Sequence, residues 1–191
     1  ALFSGGKDST YAIHLAKKLS HSVDVLLTLY PHSDESHLLH HPNIKFTTLQ
    51  SESMGIPQLI EEIPSVESET EFQKLEKLIT LAKENHSIEG IVHGGILSKY
   101  QKDNFSLICQ KNDLEIISPL WNKNPESYMK ELLDENFEYI ISSVSCDGLD
   151  DSWLGQKIDE NGLKTLENLQ NKFGFNLNFE GGEAETFVTN C

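Results

Sequence analysis

A glycine loop lies only three residues from the start of the chain, between a short apolar segment and a run with helical spacing. Residues 4–9 read Ser-Gly-Gly-Lys-Asp-Ser, and Ala12, Leu15, Ala16 and Leu19 then recur on one helix face. Glycine tolerates positive φ and close approach of a ligand, and the N–H groups that open a helix attract anions. The order of strand, glycine turn and helix therefore predicts a pyrophosphate site.

A second glycine turn is expected to complete a nucleotide site. The loop at 4–9 is not a Walker A loop, which reads Gly-x-x-x-x-Gly-Lys-Ser/Thr. In open α/β sheets the ligand lies beyond the carboxyl ends of the strands, which is where Gly94 and Gly95 follow an apolar run. We expect the two turns to face each other across an ATP cleft, with Tyr30 beside the adenine. The predicted ATP-binding residues are Ser4, Gly5, Gly6, Lys7, Asp8, Ser9, Tyr30, Gly94 and Gly95.

Apolar, β-branched runs alternate with helical patterns along the chain, which predicts an α/β fold with a doubly wound, Rossmann-like parallel sheet. Strands are predicted at residues 1–3, 23–30, 44–49, 88–93, 114–118 and 139–144. Helices are predicted after the loop, from a capping box at Ser68 and Glu71, over 98–111, from Asn124 with Pro125, and over 163–173.

The 191 residues fit one domain with an appended subdomain. We place an ATP-binding domain at 1–120 and a smaller C-terminal α/β subdomain, which binds the substrate, at 121–191. The chain begins inside its first predicted strand, so we expect a few native residues to be absent at both ends. We find no signal peptide and no run near the roughly 20 apolar residues of a membrane span, so no membrane role is expected.

The charge balance narrows the choice of partner. The formal net charge is −15, and all 15 basic residues are lysine. Nucleic-acid surfaces usually carry a basic stripe with arginine, so direct nucleic-acid binding is not expected, and a basic protein suits this surface better. A biased composition explains the missing arginine equally well. The cysteines, Cys109, Cys146 and Cys191, form no Cys-x-x-Cys pair, which indicates a reducing cytoplasm.

An acidic glycine turn lies near the end of the chain. Residues 180–188 read Glu-Gly-Gly-Glu-Ala-Glu-Thr-Phe-Val, so that Glu180, Glu183 and Glu185 gather around one turn. Such carboxylates can hold Mg²⁺ on ATP phosphates, or bind an ammonium ion and take its proton. A solvated acidic loop is the equally weighted alternative from these residues alone.

Taken together, the motifs resemble the diphthine–ammonia ligase family of PP-loop ATP pyrophosphatases, which have an adenine nucleotide α-hydrolase-like fold. The resemblance covers residues 2–188. It rests on the loop at 4–9, on Gly94 to Gln101, on Pro-Leu-Trp at 119–121, on Leu-Gly at 154–155 and on the motif at 180–188. The motif at 180–188 is the most specific of these.

The resemblance implies the last step of diphthamide synthesis. The carboxylate of diphthine, on translation elongation factor 2, attacks the α phosphate of Mg·ATP, and pyrophosphate leaves. Ammonia then displaces AMP from the acyl adenylate. Free ammonia is the expected nitrogen donor, because 191 residues leave no room for a glutaminase domain. A homodimer is left open.

The resemblance also assigns residue roles. Lys7 neutralises charge on the leaving phosphate, Asp8 coordinates Mg²⁺, and Glu183 or Glu185 captures ammonium and deprotonates it. The implied substrate contacts are Ser98, Tyr100, Gln101, Lys102 and Thr186.

Some positions depart from the family pattern. Lys102 and Asn104 stand where the family usually has arginine, and its Leu-Gly-Arg is here Leu-Gly followed by Gln156 and Lys157. Lysine supplies the positive charge of arginine, but it does not supply the two parallel hydrogen bonds of a guanidinium group. Ala184 stands where the family tends to have an aromatic residue.

Other residues are given plainer interpretations. His32, His37, His40 and His41 are interpreted as part of a solvated loop rather than a metal site, and His93 as a satisfied core histidine. Cys109 and Cys146 are interpreted as small buried hydrophobes. The alternative functions are amide synthesis on a small metabolite, tRNA thiolation, which needs catalytic sulfur and a basic surface, and ATP sensing without turnover.

Overall fold

The computed structural model describes residues 1–31, 43–63 and 68–191, with side chains from residue 71 onward in the last range. The histidines at positions 32, 37, 40 and 41, and the side chain of Ser68 in its predicted capping box, lie outside the described residues. Two compact units are present, Ala1–Trp121 and Asn122–Cys191. No helix in the described ranges has both the length and the apolar character that crossing a membrane requires.

The first unit alternates parallel strands with helices. Its helices are α1 (Lys7–Lys18), a 3₁₀ helix (Ile44–Phe46), α2 (Thr47–Met54), α3 (Ser68–His86) and α4 (Lys99–Lys111). Its strands are β1 (Leu26–Pro31), β2 (Gln58–Ile63), β3 (Gly90–Val92) and β4 (Glu115–Ile117). The predicted α/β class is thereby confirmed, whereas the doubly wound arrangement stays a prediction.

Two parallel strand pairs, β1 with β2 and β3 with β4, are joined by the first residues of the chain. Leu2 donates its N–H to the carbonyl of Val92 at 2.8 Å, on the β3 side. Phe3 donates to the carbonyl of Leu27 in β1, also at 2.8 Å. The segment therefore lies between β1 and β3, and the glycine loop that follows it emerges beside the carboxyl ends of parallel strands.

Strand β1 is buried on both faces, which explains its continuous apolar run. Leu27 and Leu29 belong to a core cluster with side chains of α3 and α4, including Ile79 and Phe105. The intervening Leu26 packs instead in a second cluster with Phe3, Ile13 of α1 and Ile56. Helices thus cover the strand that leads toward the predicted nucleotide site.

The predicted strand at 44–49 is wrong, since these residues form the 3₁₀ helix and the start of α2. A short apolar run does not distinguish strand from helix by periodicity alone. The hydroxyl of Thr47 donates to the carbonyl of Ile44 at 2.7 Å, which stabilises the helical turn. Strand β2 was not predicted, because it carries adjacent glutamates, Glu61 and Glu62, in place of a clear apolar alternation.

The second unit is built on an antiparallel strand pair. Its elements are α5 (Pro125–Asp134), β5 (Glu138–Val144), a 3₁₀ helix (Asp151–Trp153), α6 (Glu160–Phe173) and β6 (Ala184–Asn190). The predicted start of α5 is confirmed, because Asn124 accepts the N–H of Ser127 at 2.9 Å and Pro125 is the first helical residue. Strand β6 was missed, since its first residues were interpreted only as an acidic turn.

Candidate active site

The phosphate loop, residues 4–9, has the backbone shape that its glycines allow. Gly5 has φ of +82°, a conformation that other residues rarely adopt. Helix α1 begins at Lys7 with Gly6 as its N-cap, which supplies no capping side chain. The first-turn N–H groups of a helix have no intrahelical acceptor, and the helix dipole favours an anion there. The loop therefore has the geometry that the predicted pyrophosphate site requires.

The two loop serines hold this shape through hydrogen bonds to each other. The Ser9 hydroxyl oxygen accepts from the N–H of Ser4 at 3.3 Å and from the Ser4 hydroxyl at 3.1 Å. It donates to the carbonyl of Gly6 at 3.2 Å, and the Thr10 hydroxyl donates to the same carbonyl at 2.9 Å. Both serines are buried. Their hydroxyls thus fix the loop, in addition to the predicted role of facing the anion.

Lys7 and Asp8 form an ion pair at the mouth of the loop. The Lys7 side chain is 2% exposed and its Nζ donates to both carboxylate oxygens of Asp8 at 3.0 Å. The Asp8 side chain is 35% exposed, so it reaches solvent while the lysine does not. A buried cation requires such a partner. The arrangement keeps a positive charge beside the loop.

The second glycine turn packs directly on the phosphate loop. A Cβ added to Gly94 would lie 2.6 Å from the carbonyl carbon and oxygen of Asp8 and 2.7 Å from the backbone nitrogen of Ser9. These are backbone atoms that cannot rotate away. Only glycine fits at position 94, so the two predicted glycine turns meet at the first turn of α1.

His93 anchors this second turn. Its Nδ1 accepts the N–H of Gly95 at 3.1 Å, and its Nε2 lies 2.6 Å from the hydroxyl of Ser118. The ring packs edge-on against Phe105, with centroids 5.3 Å apart. Burial, and then the charge of Lys102, lower its pKa to about 4. The interpretation as a satisfied core histidine is confirmed, because both ring nitrogens have partners.

Gln50, which sequence reasoning did not select, braces the phosphate loop from α2. Its Nε2 donates to the carbonyl of Gly5 at 3.0 Å. A Cβ on Gly5 would lie 2.4 Å from Gln50 Oε1 and 3.1 Å from Thr47 Cγ2, so α2 packs closely on the loop. No local motif identifies Gln50, and its neighbours were predicted to be a strand.

A buried polar network extends this brace beneath the loop. Gln58 of β2 donates to the hydroxyl of Thr28 at 2.7 Å and to that of Thr47 at 2.9 Å. Thr28 in turn donates to the carbonyl of Phe3 at 2.7 Å, directly before the loop. Both threonines are fully buried. These hydrogen bonds link β1, β2 and α2 beneath the loop, while the side-chain oxygen of Gln58 has no partner among the described residues.

The start of α4 carries most of the predicted substrate contacts. Ser98 caps the helix by accepting the N–H of Gln101 at 3.3 Å. Tyr100 is 53% exposed and packs edge-on against Phe72, with centroids 5.8 Å apart. Lys102 places its Nζ 4.0 Å from the centroid of the Trp121 ring, a cation–π contact. The start of α4 thus offers the aromatic surface of Tyr100 to solvent, beside the exposed Lys99 and the half-buried Lys102.

Two further predicted positions have local roles. Asn104, which stands where the family usually has arginine, donates its side-chain amide to the carbonyl of Tyr100 at 2.8 Å. This amide stays on its own helix. Tyr30 lies in β1, in register with Glu62 and one residue before the strand ends at Pro31.

Glu183 organises the acidic turn of the second unit. Its Oε1 accepts from the backbone N–H of Asn176 at 2.8 Å and from the Asn176 amide at 2.6 Å, while its Oε2 accepts from the N–H of Gly181 at 2.8 Å. A Cβ on Gly181 would lie 2.7 Å from Glu183 Oε1. The turn thus closes around this carboxylate.

Glu185 and Thr186 lie on opposite faces of β6. Glu185 is paired with Ser143 of β5 and is partly exposed. Thr186 is paired with Ile141 and is buried with Ala184. Of the two candidate glutamates, Glu185 therefore reaches the accessible face of the strand pair while Glu183 is engaged in the turn.

The residues around Leu-Gly at 154–155 form a tight support for β5. Gly155 donates its N–H to the carbonyl of Ile141 at 2.8 Å, and Ile141 donates to the carbonyl of Gln156 at 3.2 Å. Lys157 pairs with Glu138 at 2.5 Å. Lys157, the lysine next to the position of the family arginine, is thus bound to a carboxylate of its own unit.

The donor chemistry around the loop fits Mg²⁺ with few protein ligands. Among the described residues no group of three or more His, Cys, Asp or Glu side chains is placed to hold a metal ion. Mg²⁺ in nucleotide sites keeps several waters and takes one or two carboxylates together with the phosphates. The partly exposed carboxylate of Asp8 is of the kind required.

A parallel α/β unit with a glycine-rich loop at a helix N-terminus, closed by a second glycine turn, is consistent with a Rossmann-like fold of the PP-loop kind. The model of the diphthamide synthase N-terminal domain matches residues 1–116, and that of the diphthamide synthase C-terminal domain matches residues 124–191. The chain belongs to the diphthamide synthase family.

Curated relatives agree with this assignment. Diphthine–ammonia ligase of Bos taurus is 33% identical over 209 residues, which cover 100% of this chain and 78% of the relative. The Homo sapiens enzyme is 32% identical with the same coverage. The Schizosaccharomyces pombe enzyme is 30% identical over 205 residues, covering 100% of this chain and 34% of the relative. The predicted family and the predicted carbon–nitrogen ligase class are confirmed.

Proposed function

We propose that this chain amidates the diphthine carboxylate of translation elongation factor 2 in the cytoplasm, using ATP and ammonia. A carboxylate oxygen attacks the α phosphorus of ATP, the bond from that phosphorus to the bridging oxygen breaks, and pyrophosphate leaves. The nitrogen of ammonia then attacks the acyl carbon, the bond to AMP breaks, and the nitrogen loses a proton. Adenylation is required because a carboxylate oxygen is otherwise too poor a leaving group.

One observation carries the proposal: Gly94 and the phosphate loop meet at the first turn of α1, where an added Cβ would fall 2.6 Å from Asp8 backbone atoms. A ligand between the turns would meet backbone N–H groups and the positive end of a helix dipole. Such a site suits the two phosphates that depart as pyrophosphate. Family membership supplies the reaction that this site serves.

In this proposal Lys7 and Asp8 act on the phosphates. Lys7 is buried and held by Asp8, so it is placed to stabilise charge that develops on the leaving pyrophosphate without reorganising. Asp8 would hold Mg²⁺, which would draw electron density from the phosphate oxygens when bound. The ion pair of 3.0 Å between the two residues limits the positions that each side chain can take.

The protein substrate is proposed to contact the start of α4. Tyr100 supplies an exposed aromatic surface, and Lys102 supplies a charge for an acidic or carboxylate group. Gln101 lies beside the second glycine turn, with its Oε1 3.4 Å from a Cβ built on Gly95. Ser98 contributes by capping the helix that presents these residues.

Glu185 is proposed to take the proton from the attacking nitrogen. It lies on the partly exposed face of β6. Glu183 contributes by holding the turn before it through three N–H donors. Thr186, buried on the other face, supports the strand rather than reaching a substrate directly.

The test combines product identity with isotope transfer. The chain is incubated with ATP, Mg²⁺ and ammonium, with and without elongation factor 2 that carries diphthine labelled with oxygen-18 in its carboxylate. We expect AMP and pyrophosphate only when that protein is present, and one labelled oxygen in each AMP. Formation of ADP, or AMP without label, would contradict the acyl adenylate. Elongation factor 2 that already carries the amide is the matched control and should give no AMP.

The thiol groups argue against sulfur transfer as the alternative reaction. All three cysteines are thiols rather than disulfides, and burial raises the pKa of Cys109 to about 11. Burial and the charge of Glu183 also raise the pKa of Cys146. Thiolation needs the thiolate form, which a raised pKa disfavours.

A further inference from the structure

The second glycine turn is held by a side chain that the proposed reaction does not use. His93 directly follows β3 and is 2% exposed, yet it is polar and lies beside the predicted nucleotide site. Its two ring nitrogens bond to two different segments, Gly95 in the turn and Ser118 directly after β4. A buried polar residue with two directed partners fixes geometry in a way that an apolar residue of similar size does not.

The hydrogen bonds define one state of the ring. Gly95 can only donate through its N–H, so Nδ1 of His93 must be the unprotonated nitrogen. Nε2 then carries the hydrogen and donates to the Ser118 hydroxyl at 2.6 Å. A pKa lowered to about 4 by burial agrees with a neutral ring under physiological conditions.

The turn that His93 holds is closely packed against its neighbours. Gly94 packs on the backbone of Asp8 and Ser9, and a Cβ on Gly95 would lie 3.0 Å from His93 Nδ1. A displacement of the turn by a fraction of an ångström would therefore press on the first turn of α1 or open the space beside it. The position of the ring sets the position of the turn.

We propose that His93 is a positioning residue for the nucleotide, holding the Gly95 N–H so that the 94–95 turn stays against the phosphate loop. The inference rests on the proposed function, because it requires that ATP binds between the two turns. It adds that Nδ1 matters for ATP affinity, while the contact from Nε2 to Ser118 matters mainly for the stability of the fold.

Three substitutions separate the two ring nitrogens. Asparagine places an acceptor close to the position of Nδ1, glutamine places its amide close to that of Nε2, and leucine keeps bulk without either. We expect His93→Asn to keep the dissociation constant for ATP within about threefold of the original chain. His93→Gln and His93→Leu should raise it about tenfold, the range for one lost hydrogen bond with a partner left unpaired. Calorimetric titration with Mg·ATP measures this without the protein substrate.

A matched variant and a second measurement keep the test decisive. Ser118→Ala removes the partner of Nε2 and leaves the Gly95 contact, so it should lower the melting temperature with ATP affinity unchanged. Amide exchange at Gly95, followed by NMR without nucleotide, should stay slow in His93→Asn and become fast in His93→Leu. The proposal is overturned if His93→Leu lowers stability while ATP affinity and Gly95 exchange are unchanged. If the original chain binds no Mg·ATP, the proposed function fails, and the nucleotide role of His93 with it.

Discussion

The phosphate loop and the acidic turn are both glycine turns, but they are stabilised from different distances along the chain. The loop at 4–9 is held by Gln50, which donates to the carbonyl of Gly5, and by Gly94, which packs on its helix. The turn at 181–182 is held by Glu183, which accepts from Asn176 and Gly181 in the same stretch of chain. The phosphate loop is thus stabilised by residues that are remote in the sequence, whereas the acidic turn is stabilised by residues of its own stretch of chain.

This difference predicts which substitutions disturb each of the two turns. A turn held by its own carboxylate depends on one side chain and tolerates changes elsewhere. A loop held by remote partners depends on several segments being correctly packed, so substitutions far along the sequence disturb it. We therefore expect the acidic turn to be disturbed by substitutions of its glutamates, and the phosphate loop by substitutions in α2, β3 and the 94–95 turn.

The largest effect is expected from Glu185→Gln. Loss of a general base costs roughly 10² to 10⁴ in rate, so amide formation should fall by at least about 10²-fold. Adenylation should continue, because the phosphate loop is unchanged. Hydroxylamine is neutral at pH 7 and needs no prior deprotonation, so it should restore product formation. Mass spectrometry of elongation factor 2 measures both products, and a failure of hydroxylamine to restore product would contradict the assignment.

Glu183→Gln is the matched comparison in the same turn. It places an amide group against N–H donors of Asn176 or Gly181, so it should lower the free energy of unfolding by about 1 kcal/mol. Glu185→Gln leaves the three N–H donors of the turn engaged by Glu183, so amide exchange at Gly181 should become faster only in Glu183→Gln. Equally fast exchange at Gly181 in the two variants would contradict the proposed division of roles.

The next largest effect is a pH dependence of the free energy of unfolding of the first unit, which arises at His93. The unfolded chain takes up a proton near the ordinary pKa of 6.5 and the folded chain only near 4, because of burial and then the charge of Lys102. Between these values the unfolded state binds more protons, so this contribution to stability is complete above pH 6.5. It is lost as the pH falls toward 4, by about 3 kcal/mol in total.

Urea unfolding between pH 7 and pH 4 measures this loss, with hydrogen exchange resolving the two units. His93→Asn removes the titrating group and should flatten the dependence in Ala1–Trp121. All eight histidines precede residue 94, so no histidine contributes such a loss in Asn122–Cys191. An unchanged pH profile in His93→Asn would show that other groups cause the dependence.

A third prediction concerns Gly94→Ala. The added methyl group would overlap the carbonyl of Asp8 at 2.6 Å, so the turn must move away from the phosphate loop. A misplacement of about 1 Å can cost about 10²-fold in rate, and we expect that loss in AMP formation. Gly162→Ala is the control, because its nearest contacts begin at 3.5 Å and it lies in a helix where alanine is favoured. Full activity of Gly94→Ala would contradict the close packing of the two turns.

The same contrast explains how far the sequence could be interpreted. The glycine loop, the helix after it and the N-cap at Asn124 are local patterns, and the structure has them where they were predicted. The strand predicted at 44–49 failed because a short apolar run carries no period, and packing of α2 on the loop decided the outcome.

Site residues were predictable only where their chemistry is local. The acidic turn could be predicted because its glutamates lie close together in the sequence, but the hydrogen bond between Glu183 and Asn176 could not. Gln50 and Gln58 act through tertiary contacts with Gly5 and Thr28, which neither periodicity nor a motif reveals. Local motifs thus identify candidate ligand contacts, but they do not reveal the groups that hold the phosphate loop and the acidic turn in place.

The smallest effect is expected at Gln50, the remote brace of the phosphate loop. Gln50→Glu replaces the amide that donates to the Gly5 carbonyl with an acceptor and adds a negative charge beside the phosphate site. A lost hydrogen bond with a partner left unpaired corresponds to about a tenfold rise in the dissociation constant for Mg·ATP. Gln110→Glu makes the same change of charge on the exposed surface of α4 and should leave affinity unchanged. If Gln50→Glu and Gln110→Glu bind Mg·ATP with the same affinity, the phosphate loop holds its shape without α2. The two glycine turns would then not differ in whether remote or local residues support them.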